Sequence, residues 1–401
     1  MAMKGPPIMR GAPPARDQQV TLDNWRTAPF NRWAFCHVRE IIPSAAIATG
    51  RPLPLRTDPR DVTRIAFTDG HGRERTIGEV LSAGNTSGLV VLRGGRVAAE
   101  WFANGYDGQR PHILFSVSKS ITSVLTGIVA DRGLLDPDDP VGKYIPEVEG
   151  SAYADASVRH VLDMTVSSSF EEAYLDSDSD YARYRAATGW NPPGDHSPGD
   201  LRSFLLTLKP GEEAHGERFH YLSPNSDLLG WIVERASGRR IADLLSEYLW
   251  QPLGAKTPGE ITLDRLGAGR TAGGICATPH DLARLGEMMR RRGVAGGRQI
   301  VPGWWVDDIT NGGGDNSAWL KGDLVHLFPT GGYRSKWYRT GLASGAFCAI
   351  GIHGQWLYID PAREVVIAKV SAQPEPTDEP LEELLVQAFD ALAADLAPRV
   401  I

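Results

Sequence analysis

The sequence predicts an α+β fold in which an antiparallel sheet flanked by helices is assembled from both ends of the chain, with an all-helical domain inserted between. Three observations carry that expectation. Strand-like apolar runs gather at Gly88–Leu92 and Arg96–Phe102 and return only at Phe347–Ile352, Gln355–Ile359 and Val365–Ser371. The stretch between them repeats its apolar residues at helical spacing. A buried-looking helix opened by Ser116 stands near the first junction. Strands, then helices, then strands with a terminal helix imply one sheet closed across a helical insertion. On this reading residues 21–112 and 260–401 form the sheet domain and residues 113–259 the helical one.

The chain begins MAMKGPPIMRGAPPARDQQ, interrupted by prolines, and residues 1–20 read as a disordered tail. The tail has one early lysine but no apolar core of signal-peptide length, so the expectation is a cytoplasmic protein. Trp25, Phe30, Trp33 and Phe35 make the next segment aromatic, and a short helical pattern ends near Ile42. Residues 50–65, rich in proline and arginine, read as a surface loop. Gly94-Gly95 then joins the first two strands as a hairpin. Past the Ser116 helix, Leu135-Asp136-Pro137-Asp138-Asp139-Pro140 is turn chemistry rather than a metal site. Ser157–Met164 is a short helix. Residues 166–200 are polar and aperiodic, with Asp176, Asp178, Asp180 and Trp190, as a lid or substrate-binding loop would be. Helices follow at Leu201–Leu208, at Ser226–Ala236 closed by Gly238, at 241–250 and from Pro279 to Arg291. The last, amphipathic, covers Glu379–Leu396.

Composition narrows the partners. Over 401 residues the net charge is −7, and phosphate backbones need a basic face, so nucleic acid is excluded as a partner. No apolar run reaches the length of a membrane span. Cys36, Cys276 and Cys348 are far apart and odd in number, with neither metal spacing nor a disulfide framework. No metal or cofactor is implied, the partner expected is a small molecule, and the oligomeric state stays open, a homodimer included.

The chemistry begins at Phe115-Ser116-Val117-Ser118-Lys119-Ser120. Val117, Ile121, Val124, Leu125, Ile128 and Val129 give helical spacing, and Gly133 is the stop. Ser116 then lies in the first turn with Lys119 one turn on, on the same face. A serine hydroxyl needs a base to act as nucleophile, and a lysine desolvated against an apolar wall can lose its proton and become one. The free N–H groups of a first turn suit a developing oxyanion. Ser-x-x-Lys alone arises by chance about once in a chain of this size, so partners downstream must decide. Tyr221-Leu222-Ser223, just before a helix, supplies one: a phenol beside a lysine ammonium is drawn toward the phenolate and can relay protons.

With Ser116, Lys119, Tyr221 and Ser223 in that order, the sequence resembles the serine β-lactamase-like superfamily: class C β-lactamases, penicillin-binding DD-peptidases and their esterase relatives. The resemblance implies a β-lactamase/transpeptidase-like fold and an acyl-enzyme mechanism. It also implies a third motif on a strand near the C-terminus. Ala349-Ile350-Gly351 fits that place better than Arg339-Thr340-Gly341, which precedes a glycine-containing loop. The backbone N–H just after the motif, that of Ile352, would complete the oxyanion hole with the N–H of Ser116, beside His353. Neither candidate is Lys-Thr-Gly, and the lost cation argues against a carboxylate-bearing β-lactam or peptide. Leu22-Asp23-Asn24-Trp25, Asn31-Arg32-Trp33-Ala34-Phe35, Trp231-Ile232-Val233-Glu234-Arg235 and Gly351-Ile352-His353-Gly354-Gln355 are similar to blocks of the 6-aminohexanoate-dimer hydrolases. That resemblance implies short-chain esters and small linear amides as substrates. It places Tyr174 in the substrate pocket, and it puts Ala272 where amidase members carry an asparagine and Arg185 where they carry an acid. The rivals are a β-lactamase or DD-peptidase and, from another class, a non-catalytic binding or sensor protein on the same fold.

Overall fold

A computed structural model describes residues 8–398 apart from 175, 177, 194–198 and 314. Its main sheet has eight strands in the order Gly332–Arg334, Trp337–Arg339, Phe347–Gly351, Gln355–Asp360, Val365–Ser371, Thr86–Arg93, Arg96–Phe102 and Arg56–Thr57. Neighbours are antiparallel except the last pair, which is parallel. The closure across the chain is where Val366 faces Leu92 and Ala368 faces Val90. Every residue of Val365–Ser371 is buried. That is why the strand reads as a continuous apolar run rather than an alternating one. Leu282, Leu285 and Met288 of helix Pro279–Arg290 pack with Val90, Val366 and Ala368 on one face. Leu385, Phe389 and Leu392 of the terminal helix Glu379–Leu396 pack with Val91, Tyr358 and Ile367 on the other. A smaller antiparallel sheet runs Ser44–Ile47, Gly259–Thr262, Ile275–Ala277, His112–Ile113.

Most of the expected elements stand where the sequence put them. Gly94 and Gly95 turn the first hairpin with φ of 53° and 75°, a region that glycine enters without steric cost. The acid cluster at Asp136–Asp139 is a turn: Asp136 accepts from the Asp138 N–H at 3.0 Å and Asp139 from Lys143 Nζ at 2.7 Å. The helix opened by Ser116 spans Val117–Asp131 and buries its whole length as far as Val129. It packs on helix Ser223–Ser237, which ends at Gly238 in the left-handed conformation. Among the described residues no helix is long and apolar enough to cross a membrane.

Four expectations change. The tail is not disordered over 8–20: the Met9 N–H donates to Gln18 O at 2.9 Å around a 3₁₀ turn at Arg16–Gln18, and Val20 packs on the cluster that holds Trp25. Residues 1–7 lie outside the described residues. The 166–200 segment is not irregular throughout. Helix Asp180–Ala187, capped by Ser179, buries Tyr181, Tyr184 and Ala187 at a spacing of three, and Trp190 is buried after it. The helix at 241–250 is two pieces, Ile241–Leu244 and a widened turn Leu245–Trp250. The strands Gly332–Arg334 and Trp337–Arg339, joined through Ser335 and Lys336 at positive φ, had no periodic signal and exist because the sheet edge pairs them.

Candidate active site

Ser116 enters the site on a bend. Phe115 before it takes φ of 44°, a left-handed conformation costly for a bulky residue, and is held there by Trp25, Phe35 and Trp190 packed around its ring. The two other serines of the segment fasten the helix: Ser118 Oγ accepts from the Ile275 N–H at 3.0 Å, and Ser120 Oγ donates to Lys336 O at 2.6 Å. Lys119, buried at 2% exposure, places Nζ 2.7 Å from Ser116 Oγ and 2.8 Å from Ala272 O. Burial lowers its pKa to about 8; Glu172 and Asp227 pull the other way and Arg270 adds to the lowering. The Tyr221 ring lies 5.1 Å from Lys119 Nζ. Its hydroxyl is pushed well above the ordinary phenol range by burial and then by Glu172, with the Ser116 and Tyr338 hydroxyls drawing it partly back. Tyr221 is therefore a neutral phenol, and the expected drift toward phenolate is reversed: the amine beside it is itself shifted toward neutrality, and a carboxylate lies near.

Strand Phe347–Gly351 runs past Ser116. A Cβ on Gly351 would come 2.5 Å from Leu114 O and 3.0 Å from Ser116 N, so only glycine lets the two backbones approach. Gly351 and Ile352 line the same cleft as Ser116 and Tyr221, which brings Ile352 and Ser116 to one wall. Gln355, fully buried, braces the turn that follows. Its amide donates to Ile352 O at 3.2 Å, His353 O at 2.9 Å and Ser371 O at 2.9 Å and accepts from the Ser371 N–H at 3.0 Å. Arg339-Thr340-Gly341 lies at a strand end and turn instead, where Thr340 Oγ1 donates to Ala346 O at 2.7 Å.

The cleft holds about 990 Å³. Among the described residues Glu171, Glu172, Glu212, Glu213, Asp323 and Glu382 line it, with one arginine, Arg218, which is paired with Asp323 at 2.6 Å. Tyr174 also lines it and donates to Glu172 Oε1 at 3.2 Å. Glu172 is the residue that sequence reasoning missed: it accepts from the Ser223 N–H at 2.6 Å and from Ser223 Oγ at 2.8 Å, fixing the serine of the second motif. Its only signal was an acid inside the 166–200 segment, indistinguishable there from its neighbour Glu171.

A family model described as Beta-lactamase matches residues 74–391. The chain belongs to the beta-lactamase family. Within that family it is 39% identical to the 6-aminohexanoate-dimer hydrolase of Paenarthrobacter ureafaciens over 91% of both chains. It is 30% identical to a D-aminopeptidase of Brucella anthropi over 35% of this chain and 24% of that one. In fold it matches a solved Bacillus anthracis protein, provisionally named a 6-aminohexanoate-dimer hydrolase, with a TM-score of 0.85 at 24% identity, covering 96% of this chain and 100% of that one. A family VIII carboxylesterase matches with a TM-score of 0.58 at 15% identity, covering 78% of this chain and 95% of that one. The chain is thus a beta-lactamase-family hydrolase, and the fold expected from its motifs is the fold observed.

Four residues expected to meet substrate do not line this family member's cleft. Arg185 lies on helix Asp180–Ala187, donates to Tyr174 O at 3.1 Å and rests over the Tyr181 ring, so it supports Tyr174 from behind. Ala272 is buried, and what it offers the site is its carbonyl, to Lys119. His353, at φ of 58°, faces away: its Nδ1 pairs with Gln373 O at 2.8 Å and its ring packs on Phe35 and Phe115. Ser223 is held by Glu172 rather than lining the cleft with Tyr174.

Proposed function

We propose that the protein is a serine hydrolase that works through an acyl-enzyme on short-chain carboxylic esters and on small linear amides bearing an ammonium group, 6-aminohexanoate oligomers among them. The observation that carries the reading is the 2.7 Å contact between Lys119 Nζ and Ser116 Oγ at the wall of an acidic cleft. In its neutral form the amine keeps one N–H on Ala272 O and turns its lone pair to the Ser116 hydroxyl, which then donates to it. Ser116 Oγ attacks the carbonyl carbon as Lys119 takes the proton. The N–H groups of Ser116 and Ile352 hold the oxyanion, each typically about 3 kcal/mol. Tyr221, a neutral phenol on the same side, passes its proton to the departing oxygen or nitrogen and takes one back from the Lys119 ammonium, which holds the proton removed from Ser116. Water, deprotonated by the same pair, releases the acid and restores Ser116.

The cleft supports the substrate class. With the charges on its wall a cationic substrate is drawn in and an anionic one repelled. A 6-aminohexanoate oligomer is a zwitterion whose ammonium end suits the acidic wall while its carboxylate end can stay in solvent, and the D-aminopeptidase relative points to amino-bearing substrates as well. A penicillin without an amino group is a net anion, and Arg218 on the wall is already paired with Asp323.

Hydrolysis of p-nitrophenyl butyrate and of the 6-aminohexanoate linear dimer, side by side with a chromogenic cephalosporin, tests the proposal on wild type and Ser116→Ala. Ester and dimer should both be cleaved, the cephalosporin not, and Ser116→Ala should lose all turnover while melting as wild type does. Near wild-type turnover in Ser116→Ala would sink the mechanism. Ester cleavage without dimer cleavage would restrict the protein to an esterase.

A further inference from the structure

A buried ion pair lies behind the reacting groups. Asp227 sits on helix Ser223–Ser237, shortly after Tyr221-Leu222-Ser223, and its side chain is fully buried, as is that of Arg270 at 3% exposure. The carboxylate accepts from Arg270 Nη1 at 2.5 Å, from the Tyr184 hydroxyl, from the Ala272 N–H at 2.8 Å and, more weakly, from Thr271 Oγ1 at 3.4 Å. The carbonyl of the same Ala272 is the one that receives Lys119 Nζ at 2.8 Å. A bond from the Gly274 N–H to Arg270 O, at 2.7 Å, closes the turn around residue 272. On its far side the Arg270 guanidinium lies 4.4 Å from the Tyr184 ring centre and 4.6 Å from that of Trp190. The contacts thus run unbroken from the second-motif helix, through one residue's backbone, to the amine beside the nucleophile.

A buried ion pair is weak evidence of stabilisation, because desolvation offsets most of its attraction and apolar residues of similar volume often do as well. What an apolar side chain cannot do is fix an N–H. We propose that Asp227 is a positioning residue for this hydrolase: it holds the Ala272 backbone so that the Ala272 carbonyl keeps Lys119 Nζ aimed at Ser116. The inference rests on Lys119 acting as the base. A neutral lysine has one lone pair, and its direction is set by where the N–H groups are bound. Without a fixed Ala272 carbonyl the amine is free to rotate away from the serine hydroxyl. Misplacement of this kind costs about a hundredfold in rate.

The charged and titratable groups facing Lys119 are Glu172 from the 166–200 segment, Arg270 and Asp227 from behind, Lys336 from the strand turn and Tyr221 from the second motif. In Asp227→Asn the single remaining oxygen is drawn to the Arg270 guanidinium, which turns an amide NH2 against the Ala272 N–H and releases it; the lost negative charge and the uncompensated Arg270 both disfavour the Lys119 ammonium. The pH at which the base becomes active therefore moves down, while its maximal rate falls. A carboxylate that only held the fold together would change the amount of active protein and leave the plateau rate per folded molecule where it was.

The test is the rate at which a fluorophosphonate labels Ser116, followed from mildly acidic to alkaline pH, with thermal melting as the check on folding. Folded Asp227→Asn should label about a hundredfold more slowly at its plateau, with the ascending limb displaced to lower pH. A wild-type plateau, or a lowered plateau with an unmoved limb, would overturn the proposal. If Asp227→Asn does not fold, the double variant Asp227→Leu with Arg270→Met decides. It removes both charges and leaves the Ala272 N–H without an acceptor, so its plateau should remain about a hundredfold low, and a wild-type plateau would overturn the proposal. Failure of the wild-type enzyme to label at Ser116 would instead bring down the functional reading, and this inference with it.

Discussion

Gly351 and Lys119 carry the two residue-scale consequences. The space beside Gly351 is taken by Leu114 O and Ser116 N, so a methyl group there must push the strand off the nucleophile and take the Ile352 N–H with it. Gly351→Ala should lower kcat for p-nitrophenyl butyrate by about a hundredfold, the loss typical of one missing oxyanion donor, without abolishing folding. An unchanged kcat would show that the strand yields without moving Ile352. Lys119, with its pKa brought down to about 8, is a base only above that value. The kcat/KM for a neutral ester should therefore rise as pH passes through about 8 and level off above it, since Tyr221 keeps its proton to far higher pH. A profile already flat across that region would remove Lys119 from the proton transfer. Glu172 belongs at this scale too. An acid in an aperiodic stretch gives no hint from sequence that it will meet Ser223 and Tyr174.

Two helices differ in how openly the sequence declared them. Val117–Asp131 was legible because its apolar residues repeat and it is buried all round, which leaves few alternatives for such a run. Its tightest point is Gly127, where a Cβ would run into the Trp305 ring. Gly127→Ala should cost about 1–3 kcal/mol of stability by overpacking, read as a lowered melting temperature, with kcat per folded molecule unchanged. An unaltered melting temperature would mean that Trp305 repacks freely. Asp180–Ala187 was not legible, since Asp180, Arg183 and Arg185 mask a buried face made of Tyr181, Tyr184 and Ala187. Tyrosines three apart after a capping serine were the available signal. What makes the helix is its docking on Phe204 and Arg270.

At the scale of the molecule, the two ends of the chain meet around buried histidines. Burial lowers the pKa of His112 and of His353 to about 4. In the unfolded chain each returns to about 6.5, so between those values the unfolded state binds more protons and stability rises with pH. The stability present above pH 6.5 is thus lost as pH falls toward 4, by up to about 3 kcal/mol for each histidine. Thermal melts across that interval should show the decline, and His353→Gln should make it shallower. A melting temperature independent of pH there would place the two histidines differently.

The sequence by itself determined the pairing of Ser116 with Lys119, the order of the motifs and the sheet closed from both ends. These rest on local spacing: Ser116 and Lys119 share a helix face whatever surrounds them, and Val365–Ser371 cannot be soluble unless both its faces are covered. Ala349-Ile350-Gly351 could be preferred to Arg339-Thr340-Gly341 on the same ground, because only the first lies on an apolar strand. Only the tertiary structure decided what each polar residue meets. Arg185 and His353 turned out to support the site from behind, and Ala272 to act through its carbonyl. Tyr221 kept its proton because burial and Glu172 outweigh the pull of the neighbouring amine. Each of those outcomes depends on groups far apart in the chain, and spacing along a chain carries no information about such contacts.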